Sequence, residues 1–444
     1  MKLAVPHMTL GIVAVAALLF GTTAPVSAAA AAPTAFAQQH GTLPRGGSYV
    51  LDPDPTVAAA AVELWFRAPG AGYDNAVPGV SRVAATAAAA AGLTSGKSLV
   101  ELVRSLGGDL TINVYPDIVG IGAYVPAPAV RRVVAAMTAA YFTPDIDDAA
   151  IKTAQRDAAV LAVQQRYSAD QTLHDLLFER MFTDGPAHYP PLPDSVAALT
   201  HISLGEVTAF AKRAFRSSNA VLTLAGNVDA SSIDAITAGE GSGSMDAPYV
   251  STTAGTATST AVSGTVGGLG LAWVGPPIAD EKAATALDFV ADYLFREDTG
   301  VVSKALNEAT GNAYVLGQFI TLNDPGVMLV TIGGDQENAT KQRVLDAVAQ
   351  VEQPLDERTF EAAREAFLYH LAYDMQTPQE MADNLGWYTV EGGASYAPGN
   401  AAGTYERIAR SLDPQYVAQT VRRYLSKPFV VNLVSAPATK ESAS

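Results

Sequence analysis

Residues 72–92 read Gly-Tyr-Asp-Asn-Ala-Val-Pro-Gly-Val-Ser-Arg-Val-Ala-Ala-Thr-Ala-Ala-Ala-Ala-Ala-Gly. An alternating apolar segment, Val57 to Phe66, precedes them, and Pro78-Gly79 predicts a turn before an alanine-rich run of good helix formers. The pattern therefore predicts a strand, a loop and a helix, an arrangement in which enzymes often place catalytic groups. The predicted helix carries no histidine, carboxylate or cysteine. Its polar side chains are Ser81, Arg82 and Thr86.

The composition excludes several functional classes. The chain has 444 residues and 49% hydrophobic content, enough for large cores and for two or more domains. A net charge of -16 argues against nucleic acid or an anionic membrane surface as a partner, because phosphate groups are bound by basic patches. The sequence has no cysteine, which excludes disulfides, thiolate metal sites and cysteine nucleophiles.

The first residues are typical of an export signal. Met1-Lys2, the apolar run from Met8 to Phe20 and the small residues that follow predict a signal peptide and leader over residues 1–37, with cleavage after Ala28 or Ala37. The alternative is an uncleaved membrane anchor, but the apolar run is short against the ~20 residues that span a bilayer. We expect an exported protein, periplasmic or secreted, with no integral membrane span after cleavage.

The order of predicted elements repeats along the chain. Residues 41–237 give the order β-β-α-α-β-β-α-α-α-α-β, and a similar order returns over residues 264–436. Between them, residues 238–263 are rich in Gly, Ser, Thr and Ala, which is typical of a flexible linker. Residues 437–444 form a tail. The fold class is therefore α+β, with two homologous lobes, each a largely antiparallel sheet with helices packed on it.

Five short segments carry a resemblance to a known family. They are Thr42-Leu-Pro-Arg-Gly-Gly-Ser-Tyr, Val103-Arg-Ser-Leu-Gly-Gly-Asp-Leu-Thr-Ile-Asn-Val-Tyr-Pro-Asp, Gly185-Pro-Ala-His-Tyr-Pro, Ser218-Asn, and Ser303-Lys-Ala-Leu-Asn-Glu-Ala-Thr-Gly-Asn-Ala-Tyr. Their order and spacing resemble the insulinase/pitrilysin family of zinc peptidases, also called the processing-peptidase family. The resemblance covers nearly the whole mature chain and implies two α+β lobes.

The zinc motif of that family is degenerate in this sequence. Members bind zinc through His-x-x-Glu-His on the helix after the second strand. The resemblance places Arg82 and Thr86 at the histidine positions and Ala85 at the glutamate position, and it places a further glutamate ligand near Ala162 or Val163. Arginine is permanently cationic and repels a dication, and alanine cannot take a proton from a metal-bound water. We therefore expect no zinc, no other cofactor and no catalytic residue.

The family also holds its substrate with an arginine and a tyrosine in the second half. The resemblance places Tyr314 at the tyrosine position, so Tyr314 is the one candidate substrate-binding residue, while Asn307 stands at the arginine position. The alternative is that Tyr314 is a strand aromatic that packs on the fold, and this alternative is the more common role.

Other histidines are weaker candidates. His174 and Asp175 precede Glu179 on a predicted helix, and His370 and Asp374 stand one helical turn apart. Such pairs can bind a metal, but on helix surfaces they more often support the helix by a few tenths of a kcal/mol. His188 lies in a proline-rich loop, where a packed or hydrogen-bonded role is expected. Serine-nucleophile signatures are absent from the sequence.

These observations support three hypotheses. The first is an exported, non-catalytic subunit that forms a homo- or hetero-oligomer with an active metallopeptidase, or binds unfolded peptides. The second is an active zinc endopeptidase of the same family with an atypical site built from His174, Asp175 or His370. The third is a structural protein of envelope assembly.

Overall fold

The computed structural model describes residues 37–68, 77–94, 96–183, 196–240, 243–248, 256–310, 314–334 and 338–436. The predicted leader lies outside these ranges except for residue 37, and the tail 437–444 and the loop with His188 lie outside them as well. The described residues form two sheets with helices packed on both, which confirms the predicted α+β fold. Among them, no helix is both long and apolar enough to cross a membrane.

The first sheet is formed by the first half of the chain. Its strands are β1 (Gln39–Thr42), β2 (Ser48–Pro53), β3 (Ala59–Arg67), β4 (Asp109–Val114), β5 (Ile118–Pro126) and β6 (Ala220–Gly226). The order across the sheet is β1-β2-β6-β3-β5-β4, and only the β2–β6 pair among these is parallel.

The described part of the first half contains seven helices, one more than the sequence predicts. They are α1 (Val80–Ala90), α2 (Leu99–Ser105), α3 (Val130–Phe142), α4 (Asp148–Gln165), α5 (Ala169–Met181), α6 (Val196–His201) and α7 (Leu204–Ala214). Ser203 caps α7, since its side chain accepts a hydrogen bond from the Glu206 amide. Alternate residues of β3, including Val62 and Leu64, pack in one core with α1 and α3.

The second sheet repeats the topology of the first. Its strands are β7 (Ser259–Gly264), β8 (Gly268–Val274), β9 (Val315–Ile320), β10 (Val327–Gly333) and β11 (Phe429–Ser435), in the order β7-β11-β8-β10-β9. This order matches β2-β6-β3-β5-β4 position by position, and the one parallel pair, β7–β11, stands where β2–β6 stands. The topology supports the predicted duplication.

The helices of the second half surround its sheet. They are α8 (Glu281–Phe295), α9 (Val301–Thr310), α10 (Asn338–Gln350), α11 (Glu357–Tyr373), α12 (Pro378–Glu391), α13 (Tyr405–Ser411) and α14 (Pro414–Tyr424). Helices α13 and α14 each contact α8, and the three share a core with β8 and β10.

One predicted boundary needs correction. The sequence predicts a flexible linker over residues 238–263, but residues 259–263 belong to strand β7. The strand is at the edge of its sheet, and its side chains alternate between exposed and half-buried. Such an edge strand needs few large apolar residues, so its composition is similar to that of a linker.

Two helices cross between the halves. Helix α5 of the first half packs on the second sheet, where Leu173 and Leu177 contact Gly268 and Gly270. Helix α12 of the second half packs on β3 and β6 of the first sheet. Burying a leucine or phenylalanine stabilises a fold by about 1.5–3 kcal/mol, so separating the halves would expose two apolar sheet faces. The exchange holds the two lobes together.

Candidate functional site

The degenerate metal motif lies on α1, as predicted. Gly79 precedes the helix with a φ of 86°, a left-handed conformation that favours glycine. Ser81 and Ala85 are fully buried, while Arg82 and Thr86 are half-buried. The Arg82 Nη1 atom donates a hydrogen bond of 2.6 Å to the backbone carbonyl of Ile112 in β4. The arginine at the first histidine position therefore binds the protein backbone.

The bonded carbonyl lies on the outer edge of the first sheet. Within the described part of the sheet, β4 is the last strand beyond β5. The Tyr115 amide donates a hydrogen bond to the Ile118 carbonyl, so the backbone groups of Tyr115 point toward β5. Along an antiparallel strand these groups point alternately toward and away from the partner. The backbone groups of Ile112, three residues before Tyr115, therefore point away from β5. The Arg82 guanidinium therefore supplies a hydrogen-bond donor to a carbonyl that strand pairing leaves without one.

Ala85, at the position of the missing general base, is also held in place by contacts within the fold. The Tyr141 hydroxyl donates a hydrogen bond of 2.8 Å to the Ala85 carbonyl. Burial raises the pKa of Tyr141, which keeps its hydroxyl protonated and able to donate. On α4, which contacts α1, Ala162 is half-buried and Val163 is 44% exposed. Neither of these side chains has an atom that can bind a metal.

A catalytic zinc does not fit these residues. It needs about three N or O ligands together with a bound water. Arg82 brings a fixed positive charge, Thr86 brings only a hydroxyl, and Ala85 brings no polar atom. Across the described ranges, no group of three or more His, Asp or Glu side chains is arranged to hold a metal ion.

The two histidine pairs predicted as weaker metal candidates have structural partners. His174 Nδ1 lies 3.0 Å from Asp175 Oδ1, and the His174 ring stacks on Phe178 with a centroid distance of 4.2 Å. His370 Nδ1 lies 2.9 Å from Asp292 on α8, whereas Asp374, one turn after His370, does not pair with it.

Asp374 binds a different cation. Its two carboxylate oxygens accept hydrogen bonds of 2.5 and 2.7 Å from the Arg296 guanidinium. The bidentate geometry is the strong form of an arginine–carboxylate pair. His370 and Asp374 therefore bind different partners, and both partners lie on or next to α8. These contacts favour the structural role for both residues.

Tyr314, the candidate substrate contact, lies just before β9. Its side chain is 48% exposed, and its carbonyl accepts a hydrogen bond of 3.2 Å from the Gly333 amide. Partial burial and the nearby carboxylates of Asp170 and Glu297 raise the pKa of the Tyr314 hydroxyl. Asn307, at the family's arginine position, is half-buried on α9. Tyr314 remains accessible to a ligand.

An acidic cluster at the junction of the two halves was not predicted from the sequence. Asp117 lies in the turn between β4 and β5, and Glu391 is the last residue of α12. Both side chains are at least 97% buried. The Asn323 amide donates to Glu391 Oε2 at 3.0 Å, and Arg67 donates to the Val390 carbonyl. The cluster joins elements of both halves.

The environment of the two carboxyl groups favours a proton on Glu391 over one on Asp117. They lie within hydrogen-bonding reach of each other, and Asp117 Oδ1 and Glu391 Oε1 find no other donor in the described part of the chain. Burial raises the pKa of Asp117 to about 6, and burial together with the negative charge of Asp117 raises the pKa of Glu391. The Arg67 cation balances the single remaining negative charge.

Sequence reasoning could not find this cluster. Asp117 follows Pro116, a pair typical of a turn, and Glu391 precedes Gly392, which ends the helix with a φ of 100°. The two acidic residues come from different halves of the chain, so no local pattern connects them. Only the docking of α12 on the first sheet brings them together.

Comparisons with known proteins agree with this architecture. The family described as "Peptidase M16 inactive domain" matches residues 201–367. The structure is similar to a protease from Helicobacter pylori, with a TM-score of 0.74 and 14% identity over 90% of this chain and 99% of that chain. It is also similar to a peptidase M16 inactive domain from Pseudomonas fluorescens, with a TM-score of 0.73 and 15% identity over 90% and 98%.

A third similar structure is a chain of complex III2 from Candida albicans, with a TM-score of 0.72 and 12% identity over 89% of this chain and 95% of that chain. Identities this low show a shared fold. A search of curated proteins by sequence gave no match. The domain match and the fold confirm the resemblance to the insulinase/pitrilysin family, which is peptidase family M16. Residues 201–367 are similar to the M16 inactive domain, and the chain shares the fold of these structures.

Proposed function

We propose that this protein is an exported, non-catalytic M16-like subunit that supports a partner subunit or binds unfolded peptides. The observation that carries the proposal is the state of α1. The residue at the first ligand position, Arg82, is a cation bound to the backbone of β4, and the general-base position, Ala85, is an alanine with no exposed surface. These residues favour a structural use of the helix over hydrolysis.

Two further observations support a role in an assembly. A neighbour of similar fold is a chain of complex III2, and the domain that matches residues 201–367 is described as inactive.

The histidines that an atypical metal site would use, His174 and His370, are already paired with buried aspartates. For peptide binding, the half-exposed Tyr314 is the proposed contact.

The test is elemental analysis of the purified mature chain together with a quenched-peptide cleavage assay, with and without a chelator. An active M16 peptidase run in parallel shows that the assay detects the activity. We expect no stoichiometric zinc and no chelator-sensitive cleavage. One zinc per chain with chelator-sensitive cleavage would overturn the proposal, and loss of that activity in His370→Ala would place the metal there.

Export and peptide binding need separate measurements. Amino-terminal sequencing of the native protein should show cleavage after Ala28 or Ala37 if the leader is a signal peptide. Titration with a labelled unfolded peptide should show weaker binding for Tyr314→Ala than for the unchanged chain. Equal binding by the two proteins would remove Tyr314 from the proposed site, and an intact amino terminus would argue against export.

A further inference from the structure

A single side chain ahead of β1 joins the two halves. Gln38 is half-buried, and its Nε2 donates hydrogen bonds of 3.1 Å to Asp52 Oδ1 and 3.2 Å to the Gly399 carbonyl. Its Oε1 accepts a hydrogen bond of 3.1 Å from the Ala401 amide, and His40 Nε2 lies 3.3 Å from the same oxygen. Asp52 belongs to β2, whereas Gly399 and Ala401 follow α12. One carboxamide therefore bridges the first sheet and the second half.

The loop that receives Gln38, residues 397–403, is held in shape by its own contacts. The Gly399 amide donates a hydrogen bond of 3.1 Å to Glu406 Oε1, and the Asn400 side chain donates one of 2.5 Å to the Ala394 carbonyl. Because the loop is already ordered, little conformational freedom is lost when its backbone groups bind Gln38. The loop is a preformed receptor for the carboxamide.

The bridge depends on the nitrogen of the Gln38 side chain. A carboxamide nitrogen carries two hydrogens, one for Asp52 and one for the Gly399 carbonyl, and the oxygen accepts from Ala401. Burial raises the pKa of Asp52, and the hydrogen bond from Gln38 opposes this rise. Loss of Nε2 would leave the Asp52 carboxylate and the Gly399 carbonyl without this donor.

Gln38 also follows one of the two predicted cleavage sites. Cleavage after Ala37 would turn the backbone nitrogen of Gln38 into a free α-amine. An amino-terminal glutamine can cyclise to pyroglutamate. The α-amine nitrogen bonds to Cδ, the bond from Cδ to Nε2 breaks, and Nε2 leaves as ammonia with a proton from the amine. The reaction needs no further reactant, and the nitrogen that leaves is the one that bridges the halves.

We propose that Gln38 is a modification site, at which cyclisation to pyroglutamate after cleavage at Ala37 releases residues 397–403 from the first sheet. Before cyclisation, the carboxamide holds the two halves together at this loop. Cyclisation removes Nε2 and draws Cδ and its oxygen back to the backbone of residue 38, away from the Ala401 amide. The inference rests on the export that is part of the proposed function, and it specifies the cleavage site.

The first test is mass spectrometry of the amino-terminal peptide of the native protein. We expect a chain that begins at Gln38 and has lost the mass of one ammonia. A recombinant chain that begins with uncyclised Gln38, handled in parallel, controls for cyclisation during preparation. A native chain that begins upstream of Gln38, or that begins at Gln38 and retains its ammonia, would overturn the inference. The zinc and peptide-cleavage measurements do not depend on this residue, so failure of the inference and failure of the proposed non-catalytic role are distinguishable.

The second test is hydrogen exchange in the recombinant chain before and after treatment with a glutaminyl cyclase. Exchange of the Ala401 amide should become about fivefold faster after cyclisation, because this amide loses its acceptor. Gln38→Ala should give the same fast exchange without cyclisation, and Gln39→Ala, a change at the exposed neighbour, should leave exchange slow. Unchanged exchange in the rest of the chain shows that each protein is folded. Equal exchange of the Ala401 amide in the cyclised and uncyclised chains would also overturn the inference.

Discussion

Replacing Gly386 by alanine tests how the two halves of this protein are held together. Gly386 lies in α12 where this helix crosses the first sheet. A Cβ atom added there would lie 2.1 Å from Trp65 Nε1 and 2.8 Å from Thr223 Oγ1. Both of these side chains are buried at least 98% and cannot swing into solvent. The helix would have to move away from the sheet.

Whether Gly386→Ala raises or lowers the free energy of unfolding distinguishes a docked helix from a free one. In a helix that touches nothing, glycine to alanine stabilises by about 1 kcal/mol because alanine loses less backbone freedom on folding. Apolar contacts need about 3.5–4.0 Å, so α12 must shift by roughly 1 Å or more, and overpacking of this kind costs about 1–3 kcal/mol. We expect a net loss of about 1–2 kcal/mol in the free energy of unfolding.

The measurement is urea unfolding followed by tryptophan fluorescence. Trp65 and Trp387 lie at this junction with a ring-centroid distance of 6.3 Å, so the signal reports on it directly. The control is Gly205→Ala on α7, where the nearest atom to an added Cβ is 3.9 Å away, and this variant should gain stability. If Gly386→Ala gained stability as the control does, the close docking of α12 on the first sheet would be refuted.

Three further predictions concern the side chains described above. Because the pKa of Asp117 is raised to about 6, its own protonation stabilises the folded state fully below about pH 4, and this contribution is lost as the pH rises through about 6. Asp117→Asn should therefore flatten the pH dependence of urea unfolding between pH 4 and 7 by about 1–3 kcal/mol, and an unchanged slope would contradict the raised pKa of Asp117. Arg82→His should lose about 1 kcal/mol of stability with its hydrogen bond to β4 and should bring no stoichiometric zinc in elemental analysis, since one histidine is too few ligands; a zinc-loaded variant would show that the site fits a metal after all. His370→Ala should lose about 1–3 kcal/mol in thermal unfolding because it removes a partner from a buried aspartate, while the exposed control His40→Ala should lose almost nothing; equal stability of the two variants would refute a structural role for this histidine.

The sequence predicted most helices and strands because their signals are local. The alternating residues of β3, the Pro78-Gly79 turn and the alanine-rich run of α1 each act within a few residues of the chain. Strand β7 was missed because a half-exposed edge strand of small residues has the composition of a linker. The family resemblance located the degenerate motif on α1, since that motif is also a local pattern.

The sequence by itself determined the α+β class and the repeated order of elements, because residue identity and spacing are enough for both, and its resemblance to a zinc-peptidase family predicts that the zinc-binding side chains are replaced. Only the tertiary structure decided what the replaced residues do. Arg82 bonds a strand edge because the sheet places Ile112 beside α1. Asp117 and Glu391 lie together, and α5 and α12 exchange between halves, because residues far apart in the chain meet only when both lobes are folded together.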